Sequence, residues 1–565
     1  MSDGDEAALC VENALARIRI VGSAECLLTY ETKETGRTHA FGPPVFEVDG
    51  SDYVAVFTGL ERLGEPVTLG NGCTEHRFRG PFANGSGLAL ELVVRLPEHN
   101  PIARLRYTLT SDTRQALTRA SGRDRLLLLG ASLRELARAT EVRLSDFVAP
   151  VHSYCLAEQP VEQRQFEHDL DLMGPILVGS DGQESLLLAY EHGSQAPDAF
   201  VHFRLRGDRS VELMAVKGNY AHGRTLTPQD PYQSLWLHLG AVAGDEAALA
   251  AAYRAFVLRH LSLHPTSREP YIFYNTWALQ ERQKWRQGRA YLDAMRQERV
   301  LQEIDITHRM GVEVFVLDTG WYERTGDWRV NTERFDEGLK AVKERLDRHG
   351  MRLGLWFGPT SAAASSEMLR GHRDCVMSWR GQREPPRPVW ETEESYRMCL
   401  VSRYGDAFTS ELVRLAREVG VTYFKWDAIG QYGCDAAGHG HGDEQSSPQE
   451  RADCYAFALV GAMTRIVERL SAACPAAIVD FDVTEPGRAV GLDFLSAGKY
   501  FLVNNGPYYQ SYDVPVDPAT QNTNVFFFPG QARNWICRAP LGLDRWVPSV
   551  LFLVHYLPDG PRRPS

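Results

Sequence analysis

No apolar run in this 565-residue chain reaches the roughly 18 residues that a membrane-spanning helix needs. The first residues, Met1-Ser2-Asp3-Gly4-Asp5-Glu6, are acidic and lack the basic-then-apolar order of a secretory signal. Positive charge is not in excess: 61 Lys and Arg stand against 73 Asp and Glu, for a net charge of −12. That balance speaks against a general nucleic-acid binder, which presents a basic surface. The ten cysteines never fall at C-x-x-C spacing, so they read as reduced thiols of a cytoplasmic protein. There is no glycine-rich dinucleotide turn, P-loop, G-x-S-x-G or H-E-x-x-H. Redox, phosphoryl-transfer, acyl-transfer and zinc-protease sites therefore lack their usual parts. No internal repeat or low-complexity tract is present.

What is there divides in two. Residues 1–244 read as a β-sandwich domain: short apolar or alternating runs such as 53–57, 88–94, 103–109, 185–190 and 234–239 recur between Gly, Asn, Asp and Pro. One helical stretch is expected near Leu133 to Thr140. Residues 245–270 switch to strong helix formers and then to Pro265 and Pro270, a linking helix and linker. From 271 to 565 strands and amphipathic segments alternate, the signature of parallel strands with crossover helices. The strands are expected at 271–277, 312–318, 352–357, 421–427, 477–482, 500–505 and 524–528. The segments between them are Val300–Met310, Phe335–His349, Asp406–Val419 and Glu450–Cys474. A (β/α)8-type TIM barrel fits better than an open dinucleotide-binding sheet. Seven strands are counted, and no eighth is visible in Pro558–Ser565, so an incomplete barrel stays open.

The strand ends carry the chemistry, as they do in such barrels. They present Asn275 and Trp277, Asp318 with Trp321, Trp356, Lys425 with Asp427, Asp482 with Glu485, and Asn504 with Asn505. Aromatic faces stack on pyranose rings while carboxylates and amides take up hydroxyls. Two carboxyl groups flanking a glycosidic bond supply nucleophile and acid/base, or base and acid. In Val421-Thr422-Tyr423-Phe424-Lys425-Trp426-Asp427, the lysine sits on the same side of the strand as the aspartate and would keep it ionised. An Asp that merely caps the next helix is the alternative.

Residues 271–430 resemble the barrel of the α-galactosidase/raffinose synthase (melibiase-like) family of retaining glycoside hydrolases. The resemblance rests on Asn275-Thr276-Trp277, Val316-Leu317-Asp318-Thr319-Gly320-Trp321, Gly326-Asp327-Trp328, Gly354-Leu355-Trp356-Phe357, Arg397 and Lys425-Trp426-Asp427. It implies an N-terminal β-supersandwich before the barrel and an exo-acting glycosidase that removes a terminal α-linked sugar. It also makes Asp427 the nucleophile. Lys425, Asp318 and Arg397 would hold sugar hydroxyls, and Trp321 or Trp356 would line the pocket. Trp277, Arg488 and Asn504 complete the substrate-binding candidates. The expected partner is a small carbohydrate or oligosaccharide, with no cofactor and no metal. The assembly state, monomer or homo-oligomer, is left open.

The departures are specific. Thr319 stands where the family carries a second aspartate, and Gly358 where it has a glutamate. Asn504-Asn505 replace the acid/base aspartate run, and Asp482-Val483-Thr484-Glu485-Pro486-Gly487-Arg488 replaces a Cys- and Gly-rich loop. The family's eighth strand and C-terminal β-domain are not expected within these 565 residues. Glu485, or else Asp482, is expected to have taken the acid/base role, with Asp493 and Asp513 as weaker candidates; a loop-shaping pair of Glu485 with Arg488 is the alternative. A catalytically impaired or vestigial sugar-binding protein is the competing reading, and transglycosylation a third. Cys434, Asp435, His439, His441 and Asp443 have metal-binding residue types, yet the Gly-rich segment reads rather as a solvated loop. Arg282–Arg289 reads as a solvated helix face, with the lining of an entry for an anionic sugar as the alternative. The cluster at Tyr508, Tyr509 and Tyr512 reads equally as a sugar-stacking or a packing loop. Trp390, Trp535 and Trp546 read as core or interface.

Overall fold

The computed structural model describes residues 9–119, 126–148, 153–161, 168–193, 198–427, 429–483, 487–488, 490–504 and 544–555. Three antiparallel sheets, of four, eleven and eight strands, fill the first part of the chain and share one core. Strand Ala103–Ser111 shows how. Ala103, Leu105, Tyr107 and Leu109 alternate inward and meet Phe46, Val48, Leu128, Phe203 and Leu213 of the facing sheet. The expected helix near Leu133 to Thr140 is absent. Strands Leu126–Ser132 and Arg138–Val148 occupy that stretch, joined by a short turn in which Leu133 and Leu136 are buried. Their partners across the sheet override a weak helical period.

Helix α1 (Glu246–Arg259) follows at once. Asp245 caps it, its carboxylate accepting from the Ala247 and Ala248 amides. Its apolar face, Leu249, Ala250, Tyr253, Phe256 and Val257, is buried in a core that also holds sheet residues Val142, Val178 and Leu187 and barrel residues Phe315 and Leu355. The helix thus welds sandwich to barrel rather than hanging between them.

The barrel strands are β1 (Phe273–Asn275), β2 (Val314–Leu317), β3 (Arg352–Phe357), β4 (Tyr423–Trp426), β5 (Ile478–Asp482), β6 (Lys499–Asn504) and β7 (Phe552–His555). Neighbours pair in parallel in that order, and the sheet curls until β7 returns toward β1. Among the described residues seven strands form this barrel. The expected strand at 524–528 lies outside the described residues. β7, by contrast, comes from the apolar stretch before the tail, where Pro548 and a 3-10 turn leave only four residues of strand. Phe273, Val314, Val316, Tyr423 and Ile478 fill the barrel floor. Above them, along the same inward faces, side chains turn polar.

Candidate active site

The inward period of two places Asn275, Asp318, Lys425, Asp427, Asp480 and Asp482 on the inner wall. Lys425 is buried and its Nζ lies 3.0 Å from Asp482 Oδ2. Burial by itself would lower the lysine's pKa. The attraction of Asp482, Asp427, Asp480 and Asp318 outweighs it and drives the pKa above the ordinary lysine value. The ammonium is therefore permanent, and four carboxyl groups are arranged around it.

Those four differ. Asp318 is buried, which raises its pKa against the lowering by Lys425, the Thr319 amide and Asn275. Asn275 Nδ2 donates to its Oδ2 at 2.8 Å, while the Thr319 amide, Thr319 Oγ1 and the Tyr291 hydroxyl donate to Oδ1 at 2.7, 3.0 and 3.3 Å. Thr319 is thus fully buried and braces Asp318. Asp480 sits deeper, level with Lys425 in the strand register. Burial pushes it up to about 7, opposed by Lys425 and by the Tyr423 hydroxyl that donates to it. Asp427 stands at the end of β4, half-buried, its amide donating to Phe357 O at 2.9 Å. The Trp356 indole donates to Asp427 Oδ2 at 3.0 Å. A carboxylate presented at a strand end, next to a fixed cation and oriented by one N–H, is equipped to attack an electrophilic carbon.

Other expected site residues are placed as follows. Trp277 begins the helix after β1, half-buried, its amide donating to Asn275 Oδ1. Trp356 is buried beside Asp427. Trp321 is wholly buried, donates to Trp356 O at 2.9 Å and packs in an aromatic cluster with Tyr322, Trp328 and Phe357. It supports the wall behind Trp356. Arg397 ends strand Glu394–Arg397, and its Nη1 donates to Glu384 Oε2 at 3.3 Å. Gly433 makes room for it, since a Cβ there would lie 2.7 Å from the guanidinium. Arg488 forms a backbone bridge with Gly430, tying the segment after β5 to the one after β4. Asn504 closes β6 opposite His555. Glu485, Asn505, Tyr508, Tyr509, Tyr512 and Asp513 lie outside the described residues.

Two corrections concern aromatic and loop residues. Trp390 is not core: it is 41% exposed and stacks on Tyr291 at 4.8 Å with the planes 5° apart. Through Tyr291 it lies one side chain from Asp318, a position that no sequence spacing announces. The segment holding Cys434, His439 and His441 is not solvated either, since all three are buried. Asp493, a weaker acid candidate, is also buried, and burial raises it to about 8 with Glu191 adding to the effect. It borders a cavity between sandwich and barrel that Trp236 and Arg104 also line.

With this geometry in view, the comparisons agree with one another. Residues 268–488 match the Melibiase family. That stretch is similar to the α-galactosidase-like family. Alpha-galactosidase 2 of Pediococcus pentosaceus is 24% identical over 244 residues, 42% of this chain and 31% of that protein. Alpha-galactosidase AgaA of Geobacillus stearothermophilus is 27% identical over 172 residues, 28% of this chain and 21% of its own length. The matches thus span less than a third of these curated relatives. The crystal structure of the GH36 alpha-galactosidase AgaB from Geobacillus stearothermophilus superposes with a TM-score of 0.64 over 96% of this chain and 76% of that one, at 12% identity. At such identity the likeness is one of fold, and the α-galactosidase-like fold of sandwich plus barrel is what this chain shares. Among the described residues no helix is long and apolar enough to cross a membrane.

Proposed function

We propose that the protein is a glycosidase that cleaves a terminal α-linked sugar with retention, Asp427 acting as nucleophile. The observation that carries the reading is the conjunction at β4. Lys425 is a permanent buried cation, and Asp427 two residues on is oriented by the Trp356 indole. In this reading Asp427 attacks the anomeric carbon and the glycosidic bond breaks, the aglycone oxygen leaving with a proton from the acid. A glycosyl ester forms, and water, giving its proton to the same residue, then releases the sugar and restores the carboxylate. Asp318 and Arg397 take sugar hydroxyls, and the exposed Trp390 offers a stacking face beyond them. Asp482 is engaged by Lys425 at 3.0 Å, so this reading assigns it to holding that cation. That leaves Glu485, three residues further on, as the acid/base of the reading.

The substrate class follows the relatives. AgaA of Geobacillus stearothermophilus has been crystallised with raffinose and with stachyose, and we infer a small oligosaccharide here too. Thr319 argues for a sugar other than unmodified galactose, because its hydroxyl is spent on Asp318. A cytoplasmic location belongs to the same reading, supported by eight described cysteines that form no disulfide. The test is hydrolysis of a panel of 4-nitrophenyl α-glycosides, galactoside included, by wild type and Asp427→Ala. Activity on one sugar that disappears in the variant supports the proposal. A folded wild type silent across the panel would favour a sugar-binding role without turnover.

A further inference from the structure

Beyond the barrel mouth, the fold gathers four buried side chains with no part in the reaction above. Cys399 follows strand Glu394–Arg397, two residues past Arg397. Cys434, His439 and His441 come from the segment after β4. Their ligand atoms all lie within 4.8 Å of one another. Cys399 Sγ is 3.6 Å from His441 Nε2, and Cys434 Sγ is 3.4 Å from His439 Nδ1. Zinc bonds of about 2.3 Å to sulfur and about 2.0 Å to nitrogen set tetrahedral edges of roughly 3.3 to 3.8 Å, so these separations already match a Cys2His2 site. Thiol–imidazole hydrogen bonds have similar lengths, and distance alone does not choose between the two.

The far sides of the imidazoles are held as those of metal ligands are. His439 Nε2 lies 2.6 Å from Asp374 O, and His441 Nδ1 lies 3.0 Å from Arg451 O. A carbonyl only accepts, so each of these nitrogens carries a proton, and the opposite nitrogen of each ring is the one that faces a sulfur. Two oriented imidazoles facing two buried cysteines, each ring held from behind by a carbonyl, is the ligand-plus-support pattern of a metal centre. Three of the four ligands are within eight residues of each other, but the fourth arrives from another segment, 35 residues upstream of Cys434. Sequence spacing therefore gives no sign of this fourth ligand.

We propose that Cys399, Cys434, His439 and His441 form a structural zinc site. All four positions are protein ligands, which leaves no open coordination position for substrate or water and assigns the ion a structural role. Binding of Zn2+ releases the two thiol protons to solvent. The dication is then balanced by two thiolates, so the buried site is neutral. His441 borders a cavity of about 620 Å³ between sandwich and barrel, which gives the ion a route in. The consequence for the active site is positional. One ion would fasten the segment that leaves Asp427 to the strand that carries Arg397, with Gly433 packed on the Arg397 guanidinium between them.

The test is metal analysis of the full chain, purified without a polyhistidine tag from zinc-sufficient cells. The expected content is about one zinc per chain, falling below roughly one fifth in Cys399→Ser and in His439→Ala, and unchanged in Cys474→Ser, which lies outside the cluster. If the ligand variants do not fold, native wild type is titrated with a mercurial thiol reagent while zinc release is followed with a chromogenic chelator. Release of about one zinc as two thiols react supports the site. Less than about one tenth of a zinc per chain, zinc retained in both ligand variants, or a Cys399–Cys434 disulfide in a non-reducing peptide map overturns it.

Discussion

Lys425 Nζ and Asp482 Oδ2 stand 3.0 Å apart inside the barrel, and both side chains are buried. The pair joins β4 to β5 where the inner wall turns from apolar to acidic. Removing one partner leaves an uncompensated buried charge, which costs about 3 to 5 kcal/mol. Lys425→Ala should therefore melt well below wild type, and Lys425→Met/Asp482→Asn should recover much of the loss. Thermal melts of the three proteins check this. Activity should stay low in both variants, because neither supplies the cation beside Asp427.

Glu485→Gln separates acid catalysis from nucleophilic attack. Proton donation contributes about 10²- to 10⁴-fold, and a 4-nitrophenolate leaving group needs little of it. The variant should lose natural oligosaccharide turnover by a factor in that range, while the first step with the aryl glycoside survives. Equal losses on both substrates would remove Glu485 from the acid role.

The fold was legible where local pattern and tertiary context agree. Apolar runs ending in Asn275, Asp318 and Asp427 marked three parallel strands, because a buried parallel strand has no polar face to hide its signal. β7 escaped because four residues after Pro548 carry too little pattern. The turn at Leu133 misled for the opposite reason: its apolar spacing suits one turn of helix, and only the neighbouring strands decide otherwise. At the site, Lys425 and Asp427 could be read from one strand. Tyr291 and Trp390 could not, since their stacking joins segments almost a hundred residues apart. The buried grouping of Cys399 with Cys434 is of the same kind.

Asp480 makes a prediction about pH. Its pKa of about 7 in the fold lies above the unfolded value near 4. Between those values the unfolded chain releases a proton that the native state keeps. This group's contribution to stability therefore falls as pH rises through the window and is level above it. Asp480→Asn removes the effect while still accepting from Tyr423. The melting temperature of the variant minus that of wild type should thus rise from about pH 5 to about pH 8. A difference independent of pH would show that Asp480 is ionised in the native state.

The central claim is that Asp427 becomes covalently bonded to the sugar. An activated fluoroglycoside whose ring fluorine slows the second step should trap that ester. The measurement is mass spectrometry of the digested protein after incubation with the α-configured reagent matching the preferred aryl glycoside. A single glycosyl adduct is expected on the peptide bearing Asp427, absent in Asp427→Ala. An adduct on another carboxylate, or none from an enzyme that turns over the parent glycoside with inversion, would contradict it.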